Sequence, residues 1–147
     1  MRRRTVLAAA VSAAATAGCV GLPAGSGDGT TARPGVSDTA FSVADAGCGA
    51  VREAASVSVS GQTVSVSGTT TVRDGCRTAR LERASVEDGE LRVVVASVAR
   101  EGVDSCVQCL TEVTYEASVT VVGGPPDGAV VVHDSRGERR DVAGVAL

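Results

Sequence analysis

The feature that most constrains this chain is a two-residue alternation of valine with serine and threonine. Ala55-Ser56-Val57-Ser58-Val59-Ser60 places Val57 and Val59 on one face and the serines on the other. After Gly61-Gln62 the pattern returns as Thr63-Val64-Ser65-Val66-Ser67. A period of two is the period of a β-strand with one buried and one solvated face, and two such runs joined by a short glycine-containing turn form a hairpin. The alternation runs from about Phe41 onward. A further run, Thr69 to Val72, stops at the turn signal Arg73-Asp74-Gly75. Thr78 to Val86 reads as a strand with Ala79, Leu81, Arg83 and Ser85 on one parity, and Glu87-Asp88-Gly89-Glu90 joins it to Leu91-Arg92-Val93-Val94-Val95. Asp-Gly between two apolar runs is a strong hairpin signal. Glu112 to Val122 follows, with Val113, Tyr115, Ala117, Val119 and Val121 inward. Val130 to His133 and Asp141 to Val145 complete the series.

Short strands separated by turns every 8–12 residues predict an all-β chain. The expected architecture is a single antiparallel β-sandwich of immunoglobulin-like size, with about seven strands over residues 41–147. A small closed barrel is the other architecture the pattern permits. There is no tryptophan for the core and no tyrosine two residues before a cysteine, so the architecture is expected without the immunoglobulin family.

Composition narrows the function. Val (27) and Ala (23) supply most of the apolar residues, and Tyr115 and Phe41 are the only aromatics. Two aromatic rings cannot build a stacking platform for single-stranded nucleic acid or sugar. All 14 basic residues are Arg, three of them before position 18; beyond that point 17 acidic residues face 11 Arg, a net charge of −6. An acidic surface repels phosphate backbones, so nucleic acid is not expected as a partner.

The N-terminus reads as a signal peptide over residues 1–18. Arg2, Arg3 and Arg4 precede an apolar run from Val6 to Ala17 that is too short to span a bilayer. Arg3-Arg4-Thr5-Val6-Leu7 resembles the twin-arginine export motif. Thr16-Ala17-Gly18-Cys19 is similar to a lipobox, with Thr16 where leucine is usual; in that motif the chain is cut before the cysteine, whose thiol then carries lipid. One acyl chain anchors weakly and two anchor firmly, so stable attachment calls for a multi-chain lipid on Cys19. Residues 19–40, rich in Gly, Ser, Thr and Pro, read as a flexible lipid-anchored linker. The signal together with the acidic, Lys-free, Ala/Val-rich chain resembles small exported lipoproteins of halophilic archaea. That resemblance implies an export route and an anchor on the outer face of the cytoplasmic membrane. It implies no activity.

Four further cysteines, Cys48, Cys76, Cys106 and Cys109, lie in the exported part. Outside the cell disulfides are the default, and a core of Val and Ala benefits from them because small side chains bury little area. Three pairings are open. Those joining Cys48 and Cys76 each to one member of Cys106-Val107-Gln108-Cys109 close longer loops and constrain the unfolded chain more; sequence does not separate Cys106 from Cys109 as partner. The same CxxC spacing occurs in thiol oxidoreductases, but here it precedes a strand rather than opening a helix. A four-cysteine zinc site would ordinarily show two such pairs.

His133, the only histidine, closes a valine run and precedes Asp134; it reads as a strand-end residue, since neighbours on a strand point to opposite faces. Glu82, Glu87, Asp88 and Glu90 read as a solvated acidic turn. Arg136, Arg139 and Arg140 alternate with Glu138 and Asp141 and read as a solvated mixed-charge surface, not an anion site. No catalytic residues, metal or cofactor are expected. The function expected is a cell-surface binding or envelope-interaction module, with the membrane (through Cys19) and a cell-envelope protein as partners. An exported thiol-redox or metal-handling protein using Cys106 and Cys109 is the alternative.

Overall fold

A computed structural model describes residues 34–147. The export signal at Arg3 and Arg4, the lipid site at Cys19 and the boundary after residue 18 lie outside the described residues. Eight strands follow in chain order: β1 (Gly35–Cys48), β2 (Ala54–Ser60), β3 (Thr63–Val72), β4 (Arg77–Glu87), β5 (Glu90–Ala99), β6 (Thr111–Val122), β7 (Gly128–Ser135) and β8 (Glu138–Ala146). They form two four-stranded sheets, ordered β1-β6-β3-β2 and β4-β5-β7-β8. Facing each other across a shared apolar core, these make the expected sandwich.

Two sequence expectations need correction. The linker read over residues 19–40 is too long, because β1 begins at Gly35 and pairs along β6 from Gly35↔Val122 to Cys48↔Thr111. Most side chains of β1 are exposed. Its place is fixed by backbone hydrogen bonds to β6, which leave no apolar alternation in the sequence. The sheets are also not wholly antiparallel: β5 and β7 run parallel, from Glu90↔Gly128 to Ala96↔Asp134. The chain leaves β5, crosses to the other sheet as β6 and returns beside β5 as β7, a crossover that joins parallel neighbours.

The hairpins follow local chemistry. At the β4–β5 turn Asp88 and Gly89 have φ of 52° and 81°, and at the β7–β8 turn Arg136 and Gly137 have 53° and 77°. Two successive positive φ values define the type I′ turn, whose twist matches that of paired strands. Arg136 is the unusual member. An arginine in the left-handed region costs of order 1 kcal/mol and persists where surrounding contacts hold it.

The core is built from the inward parity of both sheets. Val64, Val66, Val72, Val113, Tyr115, Ala117, Val119 and Val121 meet Ala79, Leu91, Val93, Val95, Ala129 and Val131. The inward residues expected on β6 are thus the buried ones. On the opposite face of β5 and β7, Val94, Val130 and Val132 form a second, smaller buried cluster.

Candidate functional site

The polar chemistry of the domain gathers at one end of the sandwich, where β1, β3, β5 and β7 finish and β4, β6 and β8 begin. Two disulfides brace this end. Cys48, last residue of β1, joins Cys109 just before β6, and Cys76, just before β4, joins Cys106 (Cα–Cα 5.7 and 5.2 Å). Both members of the CVQC segment are therefore bonded to distant cysteines, as the loop-length argument favoured, and the structure separates the partners that sequence left open. The segment between β5 and β6 contains no helix, so the helix N-terminus that lowers a thiol pKa in CxxC oxidoreductases is missing. A carboxylate of Asp74 lies within 4.8 Å of the Cys76 and Cys106 sulfurs. Both sulfurs are in the disulfide, so this group offers no thiolate.

Beneath the disulfides lies a buried polar network that sequence reasoning missed. Glu53, in the loop between β1 and β2, enters the gap between the sheets with its side chain only 7% exposed. Its Oε1 accepts from His133 Nδ1 at 2.7 Å and from Thr70 Oγ1 at 2.8 Å. Its Oε2 accepts from Thr71 N at 3.1 Å, Arg136 Nη2 at 3.0 Å and Ser135 Oγ at 3.3 Å. On its other side His133 Nε2 stands 2.7 Å from the Tyr115 hydroxyl. Burial, and secondarily the charge of Glu53, push the Tyr115 phenol above its ordinary range. The phenol keeps its proton, and the imidazole bridges the Tyr115 hydroxyl to the Glu53 carboxylate.

The local sequence explains this placement. His133 shares the inward parity of Ala129 and Val131, so β7 presents it to the core rather than to solvent, and it is fully buried. Gly68 on β3 lies opposite Tyr115. A β-carbon there would stand 2.5 Å from the tyrosine hydroxyl and 2.7 Å from Ala54 O, so the glycine makes room for the ring. Phe41 stacks on Tyr115 with centroids 5.3 Å apart. Thr71 Oγ1, bonded to Arg52 N at 2.7 Å and Ala50 O at 3.1 Å, pins the loop that carries Glu53.

Burial alone would raise the Glu53 carboxyl, but hydrogen bonds from His133, Thr71 N, Thr70 and Arg136 outweigh it and hold its pKa down at about 2. The Tyr–His–Glu chain has the order of a proton relay. Its phenol and imidazole are fully enclosed, so it exposes no nucleophile and no base to a substrate. Its effect reaches the surface through Arg136, which Glu53 and the Thr71 carbonyl (3.1 Å) hold in place.

Arg136 therefore departs from the solvated surface expected of its turn, whereas its neighbours keep to it. Arg139 pairs with Asp134 at 3.0 Å and Glu82 at 3.3 Å, and Arg140 pairs with Glu138. In the acidic turn Glu87 pairs with Arg83 at 3.4 Å. Arg136 lines an open pocket of about 470 Å³ together with Arg73, Arg77, Ser97, Leu110 and Ser135, and Asp134 and Gly137 line it as well. No protein-family model, no curated protein and no solved structure matches this chain.

Proposed function

We propose that this chain is an exported surface module, held to the outer face of the cytoplasmic membrane by lipid on Cys19, whose sandwich binds a partner rather than catalysing a reaction. The observation that carries the reading is the cystine-braced end: two disulfides spanning 61 and 30 residues of sequence suit an oxidising exterior. They hold the end loops of a sandwich, where binding residues commonly sit. The enclosure of Tyr115 and His133 supports a non-catalytic role, since the most reactive side chains are spent on internal order. The twin-arginine and lipobox-like motifs supply the route and the anchor, and the acidic surface keeps a small apolar domain hydrated. A cell-envelope protein is the partner such an anchor brings within reach.

The test is intact and peptide-level mass analysis of the mature protein extracted from membranes without reductant. Lipid mass on a new N-terminal Cys19, with Cys48–Cys109 and Cys76–Cys106 both bonded, is the expected result. An unmodified Cys19, or an intact leader on the membrane-bound protein, overturns the anchoring. Free thiols at Cys106 and Cys109 overturn the braced binding module.

A further inference from the structure

We infer that the pocket lined by Arg73, Arg77 and Arg136 is an anion site that takes the oxyanion group of a small ligand, a carboxylate or a phosphate. The chain is acidic as a whole, yet three guanidinium groups border this one pocket. They come from separate segments: Arg73 follows β3, Arg77 opens β4 and Arg136 turns the chain between β7 and β8. Two are held by the protein itself. Arg77 donates from Nε to Ser97 Oγ at 2.8 Å and from Nη2 to Ser97 O at 3.3 Å. Arg136 donates to Thr71 O and to Glu53. In each the remaining Nη1 has no hydrogen-bond partner among the described residues.

Carboxylates partner two of the three guanidiniums, Arg136 and Arg73. Asp134, which also lines the pocket, pairs with Arg139, and Glu53 pairs with Arg136. Asp74 stands 3.8 Å from Arg73, whose side chain is 70% exposed. Arg77 forms no ion pair among the described residues, its acceptors being the neutral oxygens of Ser97. Two planar forks held in place by the protein, one of them with no carboxylate partner, are the arrangement that recognises carboxylate and phosphate. Leu110 and a volume of about 470 Å³ leave space for an organic body behind the anionic group.

The inference deepens the binding-module reading by naming what is bound, and rests on it for its place in the cell. Its test does not depend on the anchor, so the two fail separately. The full chain, disulfides intact, is titrated at constant ionic strength with succinate in one arm and inorganic phosphate in the other. Arginine Nε–H NMR signals report binding. Saturable shifts at Arg77 and Arg136 in either arm, not reproduced by chloride, are expected, and the arm that saturates identifies the group taken. Arg77→Gln weakens binding about tenfold. Arg73→Gln, at an exposed residue whose change leaves the core untouched, weakens it several-fold, while Arg80→Gln on the same strand as Arg77 leaves it unchanged. Shifts linear in concentration in both arms, or binding indifferent to both pocket variants, overturn the proposal.

Discussion

Glu53 gives its two carboxylate oxygens to five partners: His133, Thr70, Thr71, Ser135 and Arg136. Its pKa of about 2 lies below the value of 4.5 ordinary for the residue. A carboxyl whose folded pKa is depressed stabilises the fold fully above its unfolded pKa and loses that contribution as pH falls through the folded one. The window is therefore pH 4.5 down to 2, and linkage puts the contribution at about 3 kcal/mol. Glu53→Gln should cost about 3–5 kcal/mol at neutral pH, because it removes the charge that balances Arg136 and turns one of the two oxygen acceptors into an NH2 donor facing groups that already donate. The penalty should shrink towards pH 2, where the native carboxyl also takes up a proton. Urea titrations followed by circular dichroism at pH 7, 4.5 and 2 check this; a penalty independent of pH would contradict it. Tyr115→Phe leaves His133 Nε2 without its hydrogen-bond partner and should cost about 1–3 kcal/mol in the same titration at pH 7. Neither role was legible in sequence. His133 closes a run of three valines, so its parity cannot be read from an alternation, and Glu53 lies 80 residues away from it. One local signal was available. Gly68 interrupts the Val/Ser/Thr alternation of β3, and a glycine at a core-facing strand position marks room for a large side chain opposite.

Among the strands, legibility follows burial. β3 from Val64 to Ser67 and β6 along its length turn one face to the core, so their alternation is written plainly; β6 reads buried at every second position from Thr111 to Val121. β7 is buried from Ala129 to His133 without alternation, because it lies inside its sheet with apolar clusters on both faces, and its sequence reads only as a short apolar run. The first six residues of β1, Gly35 to Ala40, read as linker since β1 is an edge strand paired through its backbone. The turns were more legible than the edges: Asp88-Gly89 adopts the type I′ geometry that its residues favour. The cystines belong to this scale too, since each joins one element to the β5–β6 loop. Cross-links separated by 61 and 30 residues restrict the unfolded chain by roughly 4 kcal/mol each, the longer loop by slightly more. Replacing Cys48 and Cys109 together by Ser, and in a second variant Cys76 and Cys106, should lower stability by comparable amounts of roughly 2–5 kcal/mol. Equilibrium unfolding of the two double variants checks this. A loss in one variant alone would show that native strain or residual structure, rather than loop closure, sets the effect.

The topology of the molecule sets how it reaches this state. The β2–β3, β4–β5 and β7–β8 hairpins join neighbours in sequence, and such pairs form in about 1–10 μs. The sandwich itself depends on pairings between distant segments: β1 with β6, β3 with β6, and β5 with β7 in parallel. Distant pairing incurs loop-closure entropy before any contact repays it, so domains of this kind fold in about milliseconds to seconds. The Cys48–Cys109 bond acts on that barrier. Cys48 pairs with Thr111, two residues after Cys109, so the intact cystine brings the ends of β1 and β6 together in the unfolded chain, near their native register. The oxidised full chain should accordingly refold from urea at least about tenfold faster than the reduced chain, because most of the closure entropy is then removed beforehand. If the β1–β6 pairing is already formed at the barrier, the unfolding rates of the two forms should differ much less. Stopped-flow circular dichroism on the oxidised and reduced chains measures both rates. Equal refolding rates with faster unfolding of the reduced form would place the β1–β6 pairing after the barrier and make the sheet β4-β5-β7-β8, with its two hairpins, the part that forms first.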